Sequence, residues 1–145
     1  MKVKIEHRIG IPAPAEAIWE VLSDISSWSS WNPLYTRANG ALRIGAVLDL
    51  EVAAPGQAKR DIHPVIADWV PNDQIHWNLR MFGGLVKTIR YLEIEQLTET
   101  GCIFTNGELF DGVLGPSIAK RMRPALRAGF AAMGEALKAR VEGRG

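Results

Sequence analysis

The last third of the chain carries one long apolar stripe, and that stripe dictates what the rest must supply. Ile118, Met122, Leu126, Phe130, Met133 and Leu137 recur at steps of three and four, with Ala125 and Gly129 beside them. This spacing puts them on one side of a 3.6-residue helix, with Lys120, Arg127, Glu135 and Lys138 on the other. A helix of that length needs a broad apolar surface opposite it. Two of the stripe residues are methionines, flexible and polarizable side chains that fill irregular gaps. Two roles fit: closing an ordinary core, or covering an apolar ligand cavity. Pro124 lies inside the run, where it removes one backbone bond and favours a kink. With Gly129, it predicts a helix that is bent or locally soft above whatever it covers.

The surface opposite is supplied by strands. Val3, Ile5, His7, Ile9 and Ile11 alternate with Lys4, Glu6, Arg8 and Gly10, the period of a half-buried strand. Pro12 and Pro14 end it, and Ile18, Val21, Leu22 and Ile25 follow at helical spacing. A tryptophan-rich stretch broken by serines fits a second short helix or turn, which the chain leaves at Asn32, before Pro33. From there to Phe110 the pattern is strands. Residues 47–52 alternate, and Ala54, Pro55 and Gly56 mark a turn. Residues 60–70 form a strand that carries Pro64, which makes it an edge or bulges it. Ile75, Trp77, Leu79 and Met81 share one face, as do Val86, Thr88, Arg90, Leu92 and Ile94 after the Gly83-Gly84 turn. Cys102, Phe104, Asn106, Glu108 and Phe110 share one face of the last strand. Short turns between consecutive strands make an antiparallel sheet, covered on one side by helices: an α+β fold in a single domain over residues 1–145.

Several segments, in order, carry a resemblance. "IPAPAEAIWEVLSDISSWSSWNP" is similar to the opening strand, helix and "WNP" turn of the START-like, or Bet v 1-like, superfamily, and within it of the polyketide cyclase/dehydrase and lipid-transport group. "IHPVIADWVPNDQIHW" resembles its strand pair, "RYLEIEQLTETGCIFTNGELFDGVLG" its last hairpin, and the closing helix its C-terminal end. Together they span nearly the whole chain. The resemblance implies a helix-grip fold, a curved seven-stranded antiparallel sheet around the long C-terminal helix, with two short helices after the first strand. It also implies that Glu108 faces the cavity. It says less about function, because one fold hosts binders, carriers, cyclases and partner-binding modules.

Composition removes other classes. The net charge of +1 gives no strong field toward nucleic acid. Lys120, Arg121, Arg123 and Arg127 read as the solvated face of the last helix. No window reaches the roughly 20 apolar residues of a membrane span, and the first residues lack the apolar core of a signal peptide. With one cysteine, Cys102, no intrachain disulfide forms; the expected location is cytoplasmic. There is no phosphate loop, zinc spacing or nucleophile elbow, so no metal or cofactor is expected.

The chemistry therefore rests on polar residues that the alternation turns inward. His7 falls on the apolar face of the first strand, and Arg90, Asn106 and Glu108 on the inner faces of the last hairpin. A buried charge needs partners, and hairpin geometry can bring Arg90 near Asn106 or Glu108. Arg90 and Glu108 fit either an internal salt bridge that fixes the sheet or an anchor for a ligand's oxygen atoms. The leading expectation is a monomer or homodimer that binds a lipid-like or aromatic polyketide-like molecule. Arg90, Asn106 and Glu108 would anchor it, and Trp77, Met81, Phe104, Phe110, Met122, Leu126, Phe130 and Met133 would form the walls. The alternative is a cyclase or dehydratase with His7 or Glu108 as general base and Arg90 stabilising an enolate. A third is a non-catalytic partner-binding module with a large exposed apolar patch.

Overall fold

A computed structural model describes residues 2–143. The first strand, β1 (Val3–Ile11), leads into helix α1 (Ala15–Leu22) and a short 3-10 helix (Ile25–Ser30). Seven further strands follow: β2 (Tyr35–Asn39), β3 (Asp49–Val52), β4 (Arg60–Ile62), β5 (Val65–Val70), β6 (Gln74–Met81), β7 (Val86–Thr98) and β8 (Gly101–Asp111). Helix α2 (Gly115–Val141) closes the chain. All strand pairings are antiparallel, in the orders β1-β8-β7-β6-β5 and β2-β3-β4. This is the helix-grip architecture.

Among the described residues the strand count is eight rather than seven, and Pro64 explains the difference. Residues 60–70 form one strand in sequence, but Pro64 has no N–H to give to a ladder, and the strand breaks there into β4 and β5. The two sheets are still stitched together at the break. Leu48 N–H donates to the Pro64 carbonyl at 2.8 Å, Gly45 N–H to the Ile66 carbonyl at 2.8 Å, and Ile66 N–H to the Ala46 carbonyl at 2.9 Å.

Helix α2 runs through Pro124 without interruption. The expected soft segment is therefore not present as a break in the helix. Leu126, Phe130, Met133 and Leu137 are buried, while Ile118 and Met122 at the N-terminal end are half-buried. Burying a side chain of that kind contributes roughly 1.5–3 kcal/mol. Gly129 does not sit over open space. A Cβ there would meet Leu34 Cδ1 at 2.9 Å and Pro55 Cδ at 3.4 Å, so its lack of a side chain lets α2 approach the start of β2 and the turn after β3.

Directly opposed residues of an antiparallel pair point to the same face. The register therefore lays out the inner face in rows. One row runs Ile5, Glu108, Arg90, Trp77, Ile66; the next along the strands begins His7, Asn106, Leu92, Ile75. A third holds Val3, Phe110, Thr88 and Leu79. The helix lies over these rows, and the site occupies the first.

Candidate functional site

Arg90 lies at the centre, 1% exposed. Its Nε donates to the Tyr35 hydroxyl at 2.9 Å, and its Nη1 to the carbonyls of Gly107 at 3.0 Å and Tyr91 at 3.3 Å. Its Nη2 reaches only the Met133 sulfur, at 3.8 Å. The guanidinium carbon lies 4.2 Å from the Phe130 ring centre and 5.7 Å from those of Tyr35 and Trp77. A guanidinium is more weakly hydrated than an ammonium, and aromatic faces attract it, which is how this charge is tolerated inside.

Tyr35 is placed by its local sequence. Asn32 Oδ1 accepts the N–H groups of Leu34 at 3.0 Å and Tyr35 at 3.2 Å, a side-chain turn that launches β2 past Pro33. The Tyr35 ring then packs against Trp28 and Trp77, at 5.5 and 5.7 Å between centres. Trp28 is itself fixed by its indole N–H on the Leu22 carbonyl at 3.0 Å. Burial holds the Tyr35 hydroxyl above its ordinary range; the Arg90 charge opposes this, and Glu108 adds to it. The hydroxyl keeps its proton and has it free to donate, since its oxygen is the acceptor for Arg90.

Glu108 stands directly across the ladder from Arg90, yet no ion pair joins them. Its carboxyl is pushed above the usual glutamate range by burial, opposed by the charge of Arg90, by the Thr88 hydroxyl and by Arg60. The Thr88 hydroxyl favours the charged form by proximity without completing a hydrogen bond. Folding thus binds this proton more tightly than the unfolded chain does. The resulting stability is full below the ordinary glutamate range and is lost as pH rises through the raised folded value. Glu108→Gln is expected to leave stability nearly unchanged at about pH 4 and to raise it at about pH 8, measured by urea unfolding. Equal differences at the two pH values would show that the carboxyl is not held neutral by its surroundings.

The residues around this pair enclose a cavity of about 20 Å³, lined by Leu34, Tyr35, Val52, Arg60, Ile62, Trp77, Leu79, Arg90, Glu108, Leu126 and Phe130. That is room for about one water molecule. An outer pocket of about 190 Å³, lined by Val52, Ala54, Gln57, Ala58, Arg60, Met122 and Leu126, shares three of these residues. Val52, Arg60 and Leu126 are thus common to both spaces.

Of the residues expected at the site, Trp77, Arg90, Glu108, Leu126 and Phe130 line the inner cavity. Met122 lines the outer pocket, and Met133 touches Arg90 from α2. Asn106 lies one row away, where its Nδ2 donates to the Phe130 carbonyl at 2.9 Å. Phe110 is buried in the neighbouring row and Phe104 two rows away on the other side, and Met81 accepts from Arg60 Nη1 at 3.3 Å. His7 faces α2, where a Cβ on Gly134 would lie 3.6 Å from its Nδ1; it shares a row with Asn106 rather than with Glu108. Tyr35 and Arg60 also line the inner cavity, and the sequence pattern does not point to either.

The sequence pattern of the family described as "Polyketide cyclase / dehydrase and lipid transport" matches residues 2–142. The chain belongs to this family. Among solved structures, the di-domain ARO/CYC StfQ from the steffimycin biosynthetic pathway superposes with a TM-score of 0.76 at 16% identity, covering 99% of this chain and 52% of that one. The chain therefore spans about half the length of that relative. The Zhui aromatase/cyclase from a Streptomyces species gives 0.75 at 19% identity, over 99% of this chain and 96% of the other. A START superfamily protein from Mycobacterium smegmatis gives 0.72 at 21% identity, over 97% of each chain. At these identities the likeness is one of fold. No curated protein matches the sequence. Among the described residues no helix is long and apolar enough to cross a membrane.

Proposed function

We propose that the protein binds an apolar small molecule bearing at least one oxygen atom, seated between the sheet and α2 with its polar end on Arg90, Glu108 and Tyr35. The observation that carries this reading is the buried Arg90 guanidinium, whose Nη2 has sulfur rather than oxygen as its partner. A buried charge with an unfilled donor is costly unless something completes it, and a ligand oxygen does so at the correct distance.

The inner cavity must enlarge for this. Drug-sized ligands occupy roughly 300–1,000 Å³. Leu126 borders both spaces, so its displacement merges them. Leu126→Ala is expected to cost roughly 2–5 kcal/mol without ligand, through the cavity it leaves. In a thermal-shift titration with a panel of polyphenols and fatty acids, a binding member should raise Tm in the native chain. It should raise it further in Leu126→Ala, where the space is already open. A panel that shifted neither protein would sink the proposal.

A second reading is favoured by the pairing of two proton-holding groups around one guanidinium. Glu108, held toward its neutral form, would be the acid or base, and Arg90 would stabilise an enolate oxygen. In this cyclase- or dehydratase-type reading Glu108 rather than His7 takes the base role, because His7 lies in the next row.

A further inference from the structure

Two arginines border the inner cavity, and both end on sulfur. Arg90 Nη2 lies 3.8 Å from the Met133 thioether, and Arg60 Nη1 lies 3.3 Å from that of Met81. A thioether is a weak acceptor and brings no negative charge to offset a guanidinium. Elsewhere in the same fold the comparable group is treated differently. Arg37 is paired with Asp49 at 3.0 Å and Asp61 at 2.9 Å. Among the described residues, the ion pairs join neither Arg60 nor Arg90 to a carboxylate. The cavity has one acidic side chain, Glu108, against two cations. It is a largely apolar chamber with excess positive charge.

We infer that the molecule bound here is an anionic amphiphile, its carboxylate or similarly acidic oxygen group held between Arg90 and Arg60 and its apolar body against Trp77, Phe130 and Leu126. This rests on the ligand-binding reading above and adds the charge class of the ligand. The two methionine sulfurs are the weak acceptors that these guanidinium nitrogens meet in the structure. The methionine side chains have three rotatable bonds each and swing aside at little cost when a stronger acceptor arrives. Burial strengthens the pairing with Arg90, since a charge-assisted hydrogen bond in a low-dielectric site gains more than one in water. Tyr35 has a proton to donate to the same group, and the burial that keeps Glu108 toward its neutral form limits repulsion of the incoming anion.

The test uses two fluorescent probes that differ in one group. 1-Anilinonaphthalene-8-sulfonate carries a sulfonate; N-phenyl-1-naphthylamine has the same aromatic body without it. In fluorescence titrations the sulfonate probe should bind about tenfold more tightly, equivalent to ~1.4 kcal/mol. Arg60→Gln, a change at an exposed side chain, should remove most of that preference by weakening the sulfonate probe's binding. Lys120→Gln, on the solvated side of α2, should leave both affinities unchanged. Equal affinities, tighter binding of the neutral probe, or a preference that survives Arg60→Gln would each overturn the anionic assignment while leaving apolar binding intact. Binding of neither probe would overturn the ligand-binding reading and this inference with it.

Discussion

Arg90→Met is expected to destabilise the protein by about 3–5 kcal/mol, the cost of removing one partner from a buried polar arrangement. The methionine approximates the lost volume and is apolar, so the penalty comes from what is left behind. The Tyr35 oxygen loses its donor at 2.9 Å and the Gly107 carbonyl its donor at 3.0 Å. An unsatisfied buried group of either kind costs roughly 1–3 kcal/mol. Phe130 loses the cation over its face at 4.2 Å. Glu108 loses the largest influence favouring its charged form, so its proton is held more tightly still. The destabilisation should therefore be greater at about pH 8 than at about pH 4, and Arg90→Met with Glu108→Gln should recover the pH-dependent part. Urea unfolding of the four proteins at both pH values reads this directly, as a double-mutant cycle. A single-variant cost below about 1 kcal/mol would mean that the buried charge was not integrated into the fold.

Much of this arrangement was legible from the residues, and the parts that were not have identifiable causes. The long β7–β8 hairpin alternates cleanly, so its inner faces could be assigned from period 2, and a short connection at Thr98–Gly101 keeps Arg90 within reach of Glu108. What the alternation could not reveal is the distance along the strand axis. His7 points inward as expected but lies in the next row, where α2 rather than the cavity covers it. Tyr35 was hidden because β2 has only five residues and its register with β3 shifts between Tyr35 and Arg37, so no period marks the tyrosine as inward. Arg60 begins a three-residue strand and reads as an ordinary exposed charge; only the tertiary position of β4 brings it to the cavity mouth. The stripe on α2 does face the core, but Gly129 within it is a close approach to Leu34 and not a point of slack. Periodicity reports which face is buried, not what it meets there.

Gly107→Ala should cost roughly 1–3 kcal/mol, although an alanine normally stabilises a strand relative to glycine by about 0.5–1 kcal/mol. Gly107 is paired with Tyr91 on one side and Glu6 on the other. The Tyr91 ring crosses over it on the outer face of the sheet, and the hydroxyl donates to Glu6 at 2.8 Å. A Cβ on residue 107 would fall on that ring, with Tyr91 Cε2 only 2.7 Å away. The ring must leave, and the Glu6 bond goes with it. The strain also reaches the interior, because the Gly107 carbonyl is the acceptor for Arg90 Nη1 at 3.0 Å. One glycine thus joins an outer tyrosine lock to the inner cation. If the cost comes from the ring, Gly107→Ala made in a Tyr91→Ala background should be neutral or stabilising, giving a coupling of at least about 1 kcal/mol in the cycle. Additive effects of the two changes would place the cost in the backbone of β8 instead. A shift in Arg90 side-chain resonances in the Gly107→Ala protein would then decide whether the guanidinium follows the carbonyl that holds it.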